Sequence, residues 1–174
     1  MSSLRVLAVA VLLTALFVAS PLCAQAPNPL DVVPEKMPFD VPYGAPISLE
    51  RAQAAINAAV AEAAKRNWKL NVTVVDSGAN LVAFARMDGA QLASIAISQH
   101  KARAAAMTRR ETKIVESGIQ SGMVYMVTLD GFIGSRGGIP LVVDGKLIGA
   151  IGCSGGTGSQ DEVACKVGAA LINK

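Results

Sequence analysis

The chain has 174 residues, 52% of them hydrophobic and only 4% aromatic, with a formal net charge of +3. That length suits one domain with a single core, and the core must be aliphatic. So small a charge, with no basic stripe interleaved with aromatics, excludes a nucleic-acid footprint.

The first 24 residues read as a secretory signal. Arg5 opens the segment, Val6 to Ala19 is apolar apart from Thr14, and Ser20-Pro21-Leu22-Cys23-Ala24-Gln25-Ala26 supplies small residues for a cleavage site. Cleavage after Ala24 is the working choice, because cleavage after Ala26 leaves Pro27 beside the bond. Cys23 raises a lipoprotein reading, but Pro21 and Leu22 stand where that signal needs small residues. Loss of the segment removes Arg5 alone and lowers the formal charge to +2. The apolar run is shorter than a membrane span requires, and no later stretch is long enough. The mature protein is therefore expected in the periplasm or secreted, with no membrane span.

Residues 25–46 hold six prolines, which no helix or central strand survives. The segment reads as an extended arm. Val41, Tyr43 and their apolar neighbours make its second half too apolar for a free linker, so that half is expected to pack on a surface, its own or a neighbouring subunit's.

A domain then runs over 47–174. Ser48 caps a first helix whose apolar positions Leu49, Ala52, Ile56, Val60 and Ala63 recur at helical spacing. Leu70 to Val75 and Leu81 to Ala85 flank Asp76-Ser77-Gly78-Ala79-Asn80 and read as a hairpin. A second, alanine-rich helix runs from Leu92 to Thr108, apolar on more than one face and so buried on most sides. A polar break and a short helical piece with Glu116 follow. Met123 to Leu129 reads as a third strand, and 130–138 as a loop with four glycines. Asp144-Gly145 between two apolar runs marks a last hairpin, because type I′ turns need positive φ at both central residues. Thr157 or Ser159 caps a final helix ending near Ile172. The order α-β-β-α-(α)-β-β-β-α argues for an α+β domain: one five-stranded antiparallel sheet with helices on its faces.

Four features bear on chemistry. The glycine loop 154–158 delivers the chain to a helix N-terminus, a natural anion site, yet Asp161 and Glu162 already occupy that first turn and no P-loop lysine follows. His100 is the single histidine. On a mid-helix apolar face such a residue is ordinarily structural or solvated; the sharper reading is an axial ligand to haem iron, which needs as little as one protein donor. Lys101, Arg103, Arg109, Arg110 and Lys113 crowd thirteen residues. They are either a solvated face or a docking site for the carboxylates of haem or of a small organic acid. Cys153 and Cys165 are either two small buried hydrophobes or a disulfide. There is no Gly-x-Ser-x-Gly elbow and no acid–base pair, so no catalytic residue is assigned.

Three stretches resemble a known family. They are Val74-Val75-Asp76-Ser77-Gly78-Ala79-Asn80-Leu81 with Arg86-Met87-Asp88, then Ile97-Ser98-Gln99-His100-Lys101-Ala102-Arg103-Ala104-Ala105-Ala106 with Arg109-Arg110-Glu111-Thr112-Lys113, and then Gly137-Gly138-Ile139-Pro140-Leu141 through Gly149-Ala150-Ile151-Gly152 to Gln160-Asp161-Glu162. In this order they resemble the GlcG/HbpS group, also found as the C-terminal domain of PduO-type proteins, over about Ile47 to Lys174. The resemblance implies a profilin-like three-layer sandwich, self-assembly into homo-oligomers, and haem binding in some exported members. His100 departs from the family pattern, which has an acidic residue there, so the resemblance does not make it an iron ligand. Both cysteines replace small apolar residues, and the paired departure favours the disulfide.

The leading expectation is an exported protein that binds haem or another small ligand as carrier, buffer or sensor partner. Arg86, Lys101, Arg109 and Arg110 are its candidate ligand-binding cations and His100 its candidate iron ligand. The alternatives are an enzyme or enzyme accessory for small hydroxy- or keto-acids, and a structural oligomer with no ligand.

Overall fold

In the computed structural model, residues 32–37 and 39–174 are described, and those from Met37 onward form one compact unit. The signal segment and the first part of the arm lie outside the described residues. The elements are α1 (Leu49–Lys65), β1 (Asn71–Asp76), β2 (Leu81–Arg86), α2 (Ala93–Thr108), α3 (Lys113–Gln120), β3 (Gly138–Val143), β4 (Lys146–Ser154) and α4 (Gly158–Ile172), with a 3₁₀ turn over Val124–Thr128.

The sheet is antiparallel with strand order β2-β1-β4-β3. Its two central strands are buried almost throughout, as strands covered on both faces must be. On one face, Val72, Val74, Ile139, Leu141, Ile151 and Cys153 pack against the alanine-lined sides of α1 and α4. On the other face, Val75, Leu147 and Ala150 pack against Ala102, Ala105 and Ala106 of α2. The result is three layers, with α1 and α4 below the sheet and α2 above it.

The local signals act as their chemistry requires. The Arg51 N–H donates to Ser48 Oγ at the start of α1. Thr157 and Gln160 form a reciprocal capping box at the start of α4. Asp144 and Gly145 both take positive φ, as the β3–β4 turn demands.

Two glycines set the distance of α2 from the sheet. A Cβ on Gly152 would run into the Ser98 carbonyl and the Ala102 amide nitrogen, and one on Gly138 would meet the Lys101 carbonyl. Hydrogen at both positions lets the helix backbone lie directly on β3 and β4. Beside Gly152, on β1, Thr73 Oγ1 and Ser98 Oγ share a buried hydrogen bond of 2.9 Å.

The sheet has four strands among the described residues, not the expected five. Met123 to Leu129 carries strand-forming residues, yet its core is a 3₁₀ turn with no buried side chain. The reason lies at the outer edge of β3, where a fifth strand would dock. Pro140 offers no donor there. The Val142 N–H donates to Asn173 Oδ1 at 2.8 Å, Asn173 Nδ2 donates to the Pro140 carbonyl, and the Lys174 N–H donates to the Val142 carbonyl. The C-terminus has taken the edge.

The second half of the arm packs on its own domain. Gly44 and Ile47 donate to the Leu147 and Ile148 carbonyls, and the Leu147 N–H donates to the Pro42 carbonyl at 2.8 Å. Tyr43 Oη donates to the Met107 carbonyl at the end of α2.

Candidate functional site

Helix α2 has two faces of unlike chemistry. One turn of an α-helix advances about 100° per residue, so neighbours in sequence point apart. Ser94, Ser98, Lys101, Ala102 and Ala105 face inward and are buried. Ala96, His100, Arg103 and Met107, at spacings of four, three and four, are exposed on the outer side. With Asp130 and Gly131 of the following loop they line an open groove of about 470 Å³.

The groove joins two apolar side chains to four polar ones. Ala96 and the half-exposed Met107 side chain form its apolar wall. His100 offers an imidazole, Arg103 a guanidinium and Asp130 a carboxylate. Neither His100 nor Arg103 is engaged in an ion pair among the described residues. On the sheet side, Gln99 and Arg103 also line a second pocket of about 250 Å³ with Thr73, Asn80 and the β1–β2 turn. Asp76 accepts from the Gly78 and Asn80 amides and the Asn80 side chain, which fixes that turn.

The cations singled out in the sequence do not converge. Lys101, 1% exposed, donates from Nζ to Asp161 Oδ2 at 2.8 Å, and Asp161 Oδ1 accepts the Gly156 N–H. Asp161 thus occupies one of the glycine loop's donors, and Gln160 takes the Thr157 N–H. Arg109 ends α2 with φ +56, donates to the Val41 carbonyl and lies over the Tyr43 ring. Arg110 lies 4.1 Å from the centre of the Phe39 ring, and burial pushes its guanidinium below the usual arginine value. Both arginines hold the arm. Arg86 sits at the far end of β2, in a separate recess with Trp68 and Lys69. Of the residues singled out in the sequence, His100 and, from the basic cluster, Arg103 line the α2 groove. Gln99, not singled out in the sequence, also lines it, and its spacing of four from Arg103 is the signal that places it there.

A charged cluster ties α3 and α4 together. Arg136 bridges Glu116 and Glu162, and Lys113 and Lys166 also reach Glu162. The Arg136 hydrogen bonds hold the Glu116 carboxyl below its ordinary value. Burial pushes Glu162 up, but Lys166 and Lys113 outweigh it and hold the group down. The structure also joins Cys153 of β4 to Cys165 of α4 in a disulfide, with 5.7 Å between Cα atoms.

These residues bear on a bound metal in a specific way. Among the described residues no cluster of three or more His, Cys, Asp or Glu is placed to hold a bare ion. Haem brings four nitrogen donors of its own and asks the protein for as little as one axial ligand, an apolar wall and cations for its propionates. An exposed imidazole, an alanine and methionine wall and a guanidinium free of ion pairs fit that request. Among the described residues, no helix is long and apolar enough to cross a membrane.

The chain is similar over its domain to several known proteins. GlcG of Escherichia coli K12 is 44% identical over 108 residues, covering 62% of this chain and 81% of GlcG. The crystal structure of HbpS superposes with a TM-score of 0.70 at 27% identity, covering 78% of this chain and 96% of that one. The crystal structure of a PduOC:haem complex does so with a TM-score of 0.67 at 27% identity, covering 74% and 96%. The model of the family described as haem degrading protein HbpS-like matches residues 47–170, and the chain belongs to that family.

Proposed function

We propose that this protein binds haem in the α2 groove, with His100 as the iron ligand, and that it is exported to act as a haem carrier, buffer or sensor partner. The observation that carries the reading is the outer face of α2, where His100, Arg103 and Met107 line one groove. The family description and the haem complex of PduOC support it, and the signal-like segment 1–24 is the reason for export.

Each residue has a definite task. Ala96 and Met107 would pack against one side of an apolar ring. His100 presents a nitrogen from a helix whose inner face is locked against β3 and β4, so its position is pre-organised. Asp130, across the groove, is the acceptor available to orient the imidazole. When bound, haem would supply redox-active iron; the protein supplies the site.

The mature protein titrated with hemin is expected to give a saturable shift of the Soret band at micromolar protein. Hemin that stays spectroscopically free, or associates without saturation, would remove the reading. Export is tested by tracking the cleaved protein in a fractionated bacterial host.

Self-association belongs to the same proposal. Val124, Tyr125, Val127 and Leu129 are exposed on the 3₁₀ turn and its end, Val127 at 68%, and such an apolar run asks for cover. Light scattering that returns a monomer mass would remove that part.

A further inference from the structure

Arg103 stands between two cavities of different character. On one side is the groove with His100 and Met107. On the other is the smaller pocket, where Gln99 and Arg103 of α2 meet Thr73 of β1 and Asn80 of the β1–β2 turn. Gln99 lies one helical turn before Arg103, so both side chains leave the same side of α2. The pocket is rich in hydrogen-bonding groups and is far smaller than a porphyrin-sized groove requires.

The neighbouring charges narrow what this pocket takes. Asp76, the nearest carboxylate in sequence, is occupied by the amides of its own turn and the Asn80 side chain. Arg103 has no ion pair among the described residues, unlike Lys101 on the next turn face, which is sealed against Asp161. A guanidinium beside a side-chain amide makes a donor set for a planar anion with two oxygens, which arginine binds bidentately.

We infer that Gln99 and Arg103 form a carboxylate subsite in this pocket, with Arg103 as its anchoring cation; Thr73, whose hydroxyl is shared with Ser98, and Asn80, whose amide is held by Asp76, only shape its walls. Two sources would present that chemistry. One is a propionate of haem lying in the adjoining groove, which rests on the haem reading above. The other is a small free carboxylic acid, which does not.

The test separates them. The mature protein and its Arg103→Gln variant are each titrated with hemin and with hemin dimethyl ester, whose carboxylates are blocked. Each is also melted with and without millimolar glycolate, malate and succinate. If a propionate is the occupant, the wild type binds hemin about ten- to hundredfold more tightly than the ester, the range for losing charged hydrogen bonds, and Arg103→Gln abolishes the difference. If a free acid is the occupant, hemin and its ester bind alike or not at all. One of the acids then raises the melting temperature of the wild type and not of the variant. Equal behaviour of the two proteins in both arms overturns the subsite. Absent hemin binding with an intact acid response overturns the haem reading and leaves the subsite standing.

Discussion

The Lys101 ammonium and the Asp161 carboxylate meet at 2.8 Å in the interior, where both side chains are almost wholly shielded from water. The contact joins the middle of α2 to the first turn of α4 across the end of β4. Lys101 therefore holds in place the helix whose outer face carries His100.

Removing one partner leaves the other charge buried without compensation. Lys101→Met or Asp161→Leu should each cost about 3–5 kcal/mol of stability. The double variant, which removes both charges, should lose less than the sum of the two. Urea denaturation of the three variants checks this, and additive losses would deny the coupling.

Acid should loosen the cluster around Arg136. Glu116 and Glu162 both have folded-state carboxyls held below the ordinary 4.5. A depressed carboxyl contributes stability that is fully present above its unfolded value and is lost as pH falls through the lower folded value. The urea midpoint should therefore hold steady from neutrality down to about pH 5 and fall below it, and Glu116→Gln should flatten that fall. An unchanged acid profile in the variant would contradict the assignment.

Gly152 is expected to tolerate no side chain. A methyl group there must push against the α2 backbone at Ser98 and Ala102, which is not the yielding end of a side chain. Gly152→Ala should destabilise the fold by about 1–3 kcal/mol, the range for overpacking, by displacing α2 from β4. Gly145→Ala, at a position with open space but positive φ, is the comparison, and its cost should come from backbone strain with α2 undisturbed.

Cys153 and Cys165 are twelve residues apart in sequence. The protein purified without reductant should be lighter by two hydrogens than its reduced form in intact-mass measurement. Reduction should cost about 3 kcal/mol, the usual value for a loop of that size. Free thiols in material secreted into an oxidising compartment would count against the bond.

Much of this architecture is written in local chemistry. Ser48 and Thr157 cap helices because their hydroxyls satisfy free amides, and Asp144-Gly145 turns the chain because those residues accept positive φ. Met123 to Leu129 misleads because β-propensity describes a side chain's fit to a sheet and says nothing about a free edge to join. Pro140, Asn173 and Lys174 decide that edge, from sites some thirty residues apart. The basic cluster misleads differently. Lys101 and Arg103 are near neighbours in sequence, yet one points into the core and the other into the groove. Arg109 and Arg110 are claimed by Val41, Tyr43 and Phe39 of the arm, contacts with no local signature. Helical phase links Arg103 to His100 three residues before it and to Gln99 four residues before it.

Axial ligation by His100 is the most direct test of haem binding in the α2 groove. Hemin is titrated into the mature protein and into His100→Ala, and the visible spectrum of each complex is recorded before and after addition of free imidazole. A histidine-ligated spectrum is expected in the wild type, with its loss in the variant and its return when imidazole is supplied. The same spectrum in both proteins without imidazole would contradict ligation by His100.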